Sequence, residues 1–254
     1  MNLARVSRRL AWAALGVMAA ALSPLSAWAA CPVPPAAQRL PAEAIAAVPA
    51  WPEWRVGANA LTARLRATDV SQARIVFLGD SITEGWQPNL FQMFYGQRGP
   101  LNLGVSGDTT QSVLWRLENG HWPAGLRPAA IVLLIGTNNI AHGNRPEDVA
   151  LGVVTIITRL QRLAPGAKIV LLGVLPRGMR ATDPMRPPIA RLNQLLAACG
   201  DNQRVFYSEP GQLMVDGQGV LHDWVAHDGL HLTLVGYAIL STAIEGHLRL
   251  ALQR

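Results

Sequence analysis

The chain has 254 residues, of which 50% are hydrophobic, and its formal net charge is +6. This length suits one well-buried domain and is short for two. Arg5, Arg8 and Arg9 lie in the first 29 residues, which hold no acid, so the remainder carries 6 minus 3, or +3. That mild excess forms no basic stripe with aromatic residues, which argues against nucleic-acid binding.

The first 29 residues are predicted to be a removed signal peptide. A basic start precedes an apolar run over residues 10–22, and Ala27-Trp28-Ala29 gives the small-x-small pattern of a cleavage site. No later run reaches the ~18 apolar residues of a membrane span, so we expect no transmembrane span and a periplasmic or secreted location. Twin-arginine export and lipidation at Cys31 remain alternatives to this route.

Residues 30–73 are predicted to form an N-terminal lead-in, irregular over its Pro- and Ala-rich part at 31–52, and residues 74–254 a single folded domain. Short Val/Ile/Leu runs predict strands at 75–78, 101–105, 130–135, 168–175 and 204–207. Helices are predicted around 86–95, 110–119, 146–163, 189–199 and 233–250. This alternation indicates an α/β fold, in which helices cover both faces of a parallel sheet.

A serine follows the first predicted strand, in the segment Gly79-Asp80-Ser81. There a hydroxyl projects from the carboxyl end of the sheet, and the N–H groups of the next helix are available to a developing oxyanion. Ser81 is therefore a candidate nucleophile. The alternative is a helix N-cap, because Ser and Asp are common capping residues.

Asp228 and His231 precede the last predicted helix, and their three-residue offset lets one turn hold a carboxylate against an imidazole. Asp228 would fix the tautomer of His231, which would act as general base toward Ser81. Helix capping is again the alternative. His222 and His227 have no acid three positions upstream and are interpreted as loop residues.

Two further segments follow predicted strands, where oxyanion donors belong. Gly107 lets a backbone N–H approach a substrate closely, and Asn138 offers an amide N–H. Each segment alone is typical of a turn. All four blocks follow strands of one predicted sheet, and in such sheets the site lies at the carboxyl ends of the strands.

The two cysteines, Cys31 and Cys199, do not make a zinc site, and an exported chain permits a disulfide between them. Whether they pair stays open at this stage. The side chains proposed to border an acyl pocket are Trp86, Trp115, Leu175, Pro176 and Met179, with ordinary core packing as the alternative.

These blocks resemble the SGNH or GDSL superfamily of serine hydrolases. Within it the chain is most similar to the catalytic subunits of intracellular platelet-activating-factor acetylhydrolases, over about residues 75–248. The segments that carry the similarity lie at 102–110, 113–120, 135–139, 175–178, 192–196 and 231–233. Ile82 departs from the leucine of the name motif, and the predicted export signal departs from the cytoplasmic animal enzymes.

The resemblance implies a flavodoxin-like three-layer α/β/α fold with five parallel strands. It implies nucleophile Ser81 with Asp228 and His231, and an oxyanion hole formed by the backbone N–H groups of Ser81 and Gly107 and the Asn138 side chain. It implies no metal or organic cofactor, and it suggests a homodimer.

The predicted function is hydrolysis of short acyl esters, acetyl esters above all, of a carbohydrate, lipid or small molecule. A thioesterase or lysophospholipase with the same catalytic groups is an alternative. So is a non-catalytic carbohydrate-binding envelope protein on the same fold, although it has no need of an intact Ser81, Asp228 and His231.

Overall fold

The computed structural model describes residues 31–33 and 39–253. The predicted signal peptide therefore lies outside the described residues. Five strands form one parallel sheet in the order β2-β1-β3-β4-β5, with β1 at Ile75–Gly79, β2 at Pro100–Gly104, β3 at Ala130–Leu134, β4 at Lys168–Leu172 and β5 at Val205–Ser208. The predicted α/β class and five-stranded parallel sheet are confirmed.

Eight α-helices connect and cover these strands in the described part of the chain. They are α1 at Pro52–Ala67, α2 at Ser81–Glu84, α3 at Pro88–Tyr95, α4 at Thr110–Glu118, α5 at Thr137–Ala141, α6 at Pro146–Leu163, α7 at Arg186–Ala197 and α8 at Leu234–Leu252. None of them is both long enough and apolar enough to cross a membrane.

The core has two layers because neighbouring residues of a strand face opposite sides of the sheet. Val76 and Leu78 of β1 lie in the layer under α1, α4, α6 and α7, whereas Ile75 and Phe77 lie in the layer under α3 and α8. All residues of β1 are buried. A sheet covered on both faces explains why its strands read as continuous apolar runs.

Two element boundaries differ from prediction for identifiable reasons. β4 ends at Leu172 rather than 175, and beyond it the Asn193 side chain bonds both the N–H and the C=O of Val174, at 2.8 and 2.9 Å. α7 begins at Arg186 rather than 189, because prolines in a first helical turn lose no intrahelical hydrogen bond.

The sequence analysis proposed no helix over 52–67, where α1 lies. Its Trp54, Ala58, Leu61 and Leu65 are buried in the sheet's core at helical spacing. The N-terminal region is thus part of the hydrophobic core.

The strand order places a topological switch between β1 and β3, since the chain passes from β1 to β2 on one side and then returns to β3 on the other. A crevice forms at the carboxyl ends of strands at such a point. The segments after β1, β2 and β3 all open onto that edge.

Cys31 and Cys199 form a disulfide, with their Cα atoms 4.5 Å apart, and so attach the start of the described chain beyond the end of α7. The question left open by the sequence is thereby answered.

Because this bond closes a loop across 168 positions of sequence, its removal should raise the entropy of the unfolded chain substantially. We expect the Cys31→Ser/Cys199→Ser double variant to lose about 2–4 kcal/mol in the free energy of unfolding. Urea unfolding followed by tryptophan fluorescence measures this. The expectation would be contradicted if the urea midpoint of the parent were unchanged by reductant and equal to that of the variant.

Candidate active site

Ser81 is the first residue of α2, immediately past the carboxyl end of β1, and is partly buried. The N-cap of this helix is Asp80, whose Oδ1 accepts the N–H of Ile82 at 3.0 Å. The capping alternative therefore applies to Asp80, and the Ser81 hydroxyl lies against His231.

Asp228 and His231 lie together in the turn before α8. Asp228 Oδ2 accepts from His231 Nδ1 at 2.6 Å, and Asp228 Oδ1 accepts the backbone N–H groups of His231 and Leu230 at 2.7 and 2.9 Å. α8 is capped by Thr233, so Asp228 does not serve as its N-cap. The turn orients the imidazole, and His231 Nε2 lies 3.2 Å from Ser81 Oγ.

Asp228 is in an environment that favours its charged form. Burial acts to raise the pKa of this carboxyl, but hydrogen bonds from the His231 ring and from the backbone N–H groups of His231 and Leu230 outweigh it. The pKa of Asp228 consequently lies well below its ordinary value. An ionised carboxylate at His231 Nδ1 leaves Nε2 as the acceptor that faces Ser81.

Gly107 lies in the loop after β2 and Asn138 lies in the first turn of α5, on the same edge of the sheet. Gly107 has φ +79°, and a Cβ there would lie 3.1 Å from Trp51 Nε1, so both the conformation and the space favour glycine. Asn138 Nδ2 donates to the carbonyl of Asp108 at 2.9 Å, which fixes the orientation of its amide.

The Gly107 loop is attached to the helix that carries Ser81. Glu84, one turn along α2, accepts both the N–H of Ser106, at 2.9 Å, and its hydroxyl. Ser106 directly precedes Gly107, so Glu84 positions this segment relative to Ser81. Glu84 was not predicted as a site residue, because nothing in the spacing of residues 84 and 106 indicates their contact.

Asp108, which follows Gly107, fixes the loop through contacts of its buried side chain. Its buried carboxylate pairs with the buried guanidinium of Arg116 and accepts hydrogen bonds from Trp54 Nε1 and Ser112 Oγ, both at 2.8 Å. Burial raises the pKa of Asp108, and the charge of Arg116 acts against this shift.

A model of the GDSL-like lipase/acylhydrolase family matches residues 77–239. The chain belongs to the GDSL-like lipase/acylhydrolase family. It is 36% identical to platelet-activating factor acetylhydrolase IB subunit alpha1 of Bos taurus over 178 residues, covering 68% of this chain and 74% of that protein.

The alpha2 subunit of the same enzyme from Homo sapiens is 38% identical over 168 residues, covering 65% of this chain and 71% of that protein. A solved GDSL-like lipase of Bacteroides thetaiotaomicron shares the fold, with a TM-score of 0.64, 24% identity, and coverage of 76% of this chain and 97% of that one. The protein is a carboxylic ester hydrolase of this GDSL-like family.

Of the residues suggested to border the acyl pocket of this GDSL-like hydrolase, Trp86 and Leu175 are buried in the core, and Trp115 is partly buried and packs against it. Trp86 contacts Phe77 and Tyr237, Trp115 packs edge-on against Trp54, and Leu175 is 2% exposed. Pro176 and Met179 are partly buried after β4. Of the other histidines, His222 pairs with Asp216 at 2.9 Å, and His227 lies 4.0 Å from Asp228.

A second carboxyl group lies next to the candidate nucleophile. Asp80 is 1% exposed, and its Oδ2 has no hydrogen-bond partner in the described part of the chain. Burial raises the pKa of Asp80 to about 7, and the charge of Asp108 also raises it. The hydrogen bond from the Ile82 N–H and the charges of His231 and Arg177 act to lower this pKa. Near neutral pH this carboxyl therefore holds a proton for part of the time.

This shift sets a pH dependence of stability. The unfolded chain loses the Asp80 proton near pH 4 and the folded chain near pH 7, so the folded state loses stability as pH rises through that window and no further above it. Asp80→Asn keeps the acceptor for Ile82 and removes the titration. As pH rises from 4 to 8, we expect the free energy of unfolding of the variant to increase relative to that of the parent by on the order of 2–4 kcal/mol.

Urea unfolding of parent and variant at several pH values measures that difference, and the other titrating groups cancel in it. A difference that stays constant from pH 4 to pH 8 would rule out a raised pKa for Asp80.

Proposed function

We propose that this protein hydrolyses short acyl esters, acetyl esters above all, through a Ser81-His231-Asp228 triad and an acyl-enzyme. The observation that carries the proposal is the pair of contacts on one imidazole, Nε2 at 3.2 Å from Ser81 Oγ and Nδ1 at 2.6 Å from Asp228 Oδ2. Nucleophile, base and orienting acid in this arrangement are the geometric signature of acyl transfer.

In the proposed reaction His231 Nε2 takes the hydroxyl proton as Ser81 Oγ attacks the ester carbonyl. The imidazolium is stabilised by Asp228, and it returns the proton to the leaving alkoxide when the C–O bond of the ester breaks. Water then attacks the acyl-enzyme with His231 again as base, which releases the carboxylic acid and restores the Ser81 hydroxyl.

The developing oxyanion would be held by the backbone N–H groups of Ser81 and Gly107 and by the Asn138 amide. Asn138 Nδ2 donates one of its two N–H groups to the Asp108 carbonyl, and this bond fixes the orientation of the amide. The second N–H group is then available to donate to the oxyanion. Donors fixed before the reaction need no reorganisation when charge develops.

The preference for acetyl esters is supported by the similarity to two acetylhydrolase subunits. The alcohol part of the ester belongs to a carbohydrate, a lipid or a small molecule, and it is selected by the residues that contact that part of the substrate. We also propose an exported, periplasmic or secreted protein, which the Cys31–Cys199 disulfide supports, because such bonds persist in oxidising compartments.

The first test is hydrolysis of p-nitrophenyl acetate, butyrate and octanoate by the parent and by Ser81→Ala. We expect the parent to prefer acetate and the variant to lose about 10⁴- to 10⁶-fold in kcat, because Ser81 is the only nucleophile among the described residues that contacts the His231 ring. Circular dichroism controls for folding. Preference for octanoate would favour a thioesterase or lysophospholipase, and equal rates for parent and variant would favour a non-catalytic protein.

The second test concerns the oxyanion donors. Asn138→Ala removes the amide and should lower kcat on p-nitrophenyl acetate by about 10²- to 10³-fold with little change in KM, because the interaction strengthens only in the transition state. The matched control is Asn144→Ala, a partly buried asparagine past the end of α5 that lies outside the proposed oxyanion hole. A higher KM with unchanged kcat in Asn138→Ala would assign the residue to ground-state binding instead.

A further inference from the structure

One arginine lies near the proposed catalytic groups with no carboxylate partner among the described residues. Arg177, in the loop after β4, is partly buried, and its Nη1 lies 3.4 Å from Thr137 Oγ1. Thr137 directly precedes Asn138. No carboxylate of the described residues lies within 4.0 Å of this guanidinium. By contrast, the buried or partly buried Arg98 and Arg116 form ion pairs, and Arg186 donates to two backbone carbonyls.

The backbone that carries Arg177 is held on both sides. Arg186 donates through Nε to the carbonyl of Arg177 and through Nη2 to that of Gly178, both at 2.7 Å. The N–H of Gly178 donates to the carbonyl of Gly229, at 2.9 Å, inside the turn that holds Asp228 and His231. The backbone that carries Arg177 is therefore anchored to the same turn as the proposed catalytic base.

The two loops pack closely at a pair of glycines. Gly229 has φ +75°, and a Cβ on it would lie 3.2 Å from the Cα of Gly178. This close contact holds the backbone at Arg177 in a fixed position relative to His231. Less conformational entropy of the loop is therefore lost when a ligand binds.

The carboxylates near Arg177 are buried or engaged elsewhere, including Asp183, which lies against Gly178 and accepts the N–H of Met185 at 2.9 Å. Asp80 is close enough for the Arg177 charge to lower its pKa, yet Asp80 is buried and forms no ion pair with it. Asp228 is already engaged by His231 and two backbone N–H groups. Asp108 is engaged by Arg116.

We propose that Arg177 is an anion subsite of the ester cleft, which binds a phosphate or carboxylate group carried by the substrate close to the scissile acyl group. A guanidinium presents a planar fork of N–H donors that matches either anion with two parallel hydrogen bonds. The inference rests on the proposed function, because it assigns a substrate class to the same cleft.

The competing interpretation is that Arg177 acts inside the protein, either by balancing Asp80 or by orienting Thr137 beside Asn138. That role would affect every ester equally, whereas a subsite affects esters that bear an anion. The two interpretations therefore separate by the ratio of kcat/KM for an anionic ester to that for a neutral one.

The experiment uses phenyl acetate, 3-acetoxybenzoate and 3-acetoxyphenyl phosphate with the parent, Arg177→Gln, Arg177→Lys and Arg180→Gln. Arg180 is an exposed arginine of the same loop and serves as the matched control. We expect Arg177→Gln to lower the anionic-to-neutral ratio by about 10- to 100-fold, with a smaller loss for lysine, and Arg180→Gln to leave the ratio unchanged.

The phosphate and carboxylate arms distinguish the two sources of the anion, because the ester whose ratio falls identifies the group that Arg177 binds. An unchanged ratio in Arg177→Gln for both anionic esters, or an equal drop for all three substrates, would overturn the subsite.

A binding measurement keeps the inference separate from the proposed function. Calorimetric titration of Ser81→Ala, and of Ser81→Ala/Arg177→Gln, with phenyl phosphate and with benzoate needs no turnover. Binding that is lost with Arg177 supports the subsite even if the parent hydrolyses no ester, in which case only the proposed function fails. Absence of Arg177-dependent binding for both probes overturns the subsite.

Discussion

The buried ion pair between Asp108 and Arg116 is the constraint on which the candidate site depends. Both side chains are almost completely removed from solvent, so each charge is tolerated only because the other is present. Through Asp108 the pair reaches Trp54 of α1 and, by the backbone carbonyl, Asn138 at the start of α5. Gly107 lies between these anchors, so its N–H is oriented by a network built for stability.

Three aspartates of this edge illustrate how environment divides one residue type among different tasks. Asp228 is partly exposed and receives three hydrogen bonds, which keep its pKa low and its charge available to His231. Asp108 is buried but paired. Asp80 is buried with a single bond to one oxygen, so burial dominates and raises its pKa. A carboxyl that holds its proton beside Ser81 adds less negative charge where the proposed reaction would develop an oxyanion.

The sequence permitted prediction of the sheet, because buried parallel strands appear as short apolar runs, and of the convergence of residues 81, 107, 138, 228 and 231 at one edge. α5 was missed because five residues are too few to display a period. α1 was missed because Pro and Ala ahead of it suggested an irregular lead-in, although its buried positions have helical spacing. Contacts such as Glu84 with Ser106 depend on packing between elements, which no local pattern encodes.

The proposed catalytic base and the proposed substrate-binding loop are mechanically linked. The loop after β4 carries Arg177 and is joined to the turn of His231 by the bond from Gly178 to Gly229. Its other side is held by Asn193 of α7, which bonds Val174 at both backbone groups and also reaches Glu209 after β5. A change in this loop that alters substrate preference is therefore transmitted to the imidazole. Under the proposed function, changes in the loop after β2 would reach the proposed oxyanion donors instead. A substitution after β4 that spares the Gly178–Gly229 contact would then change substrate preference without displacing His231.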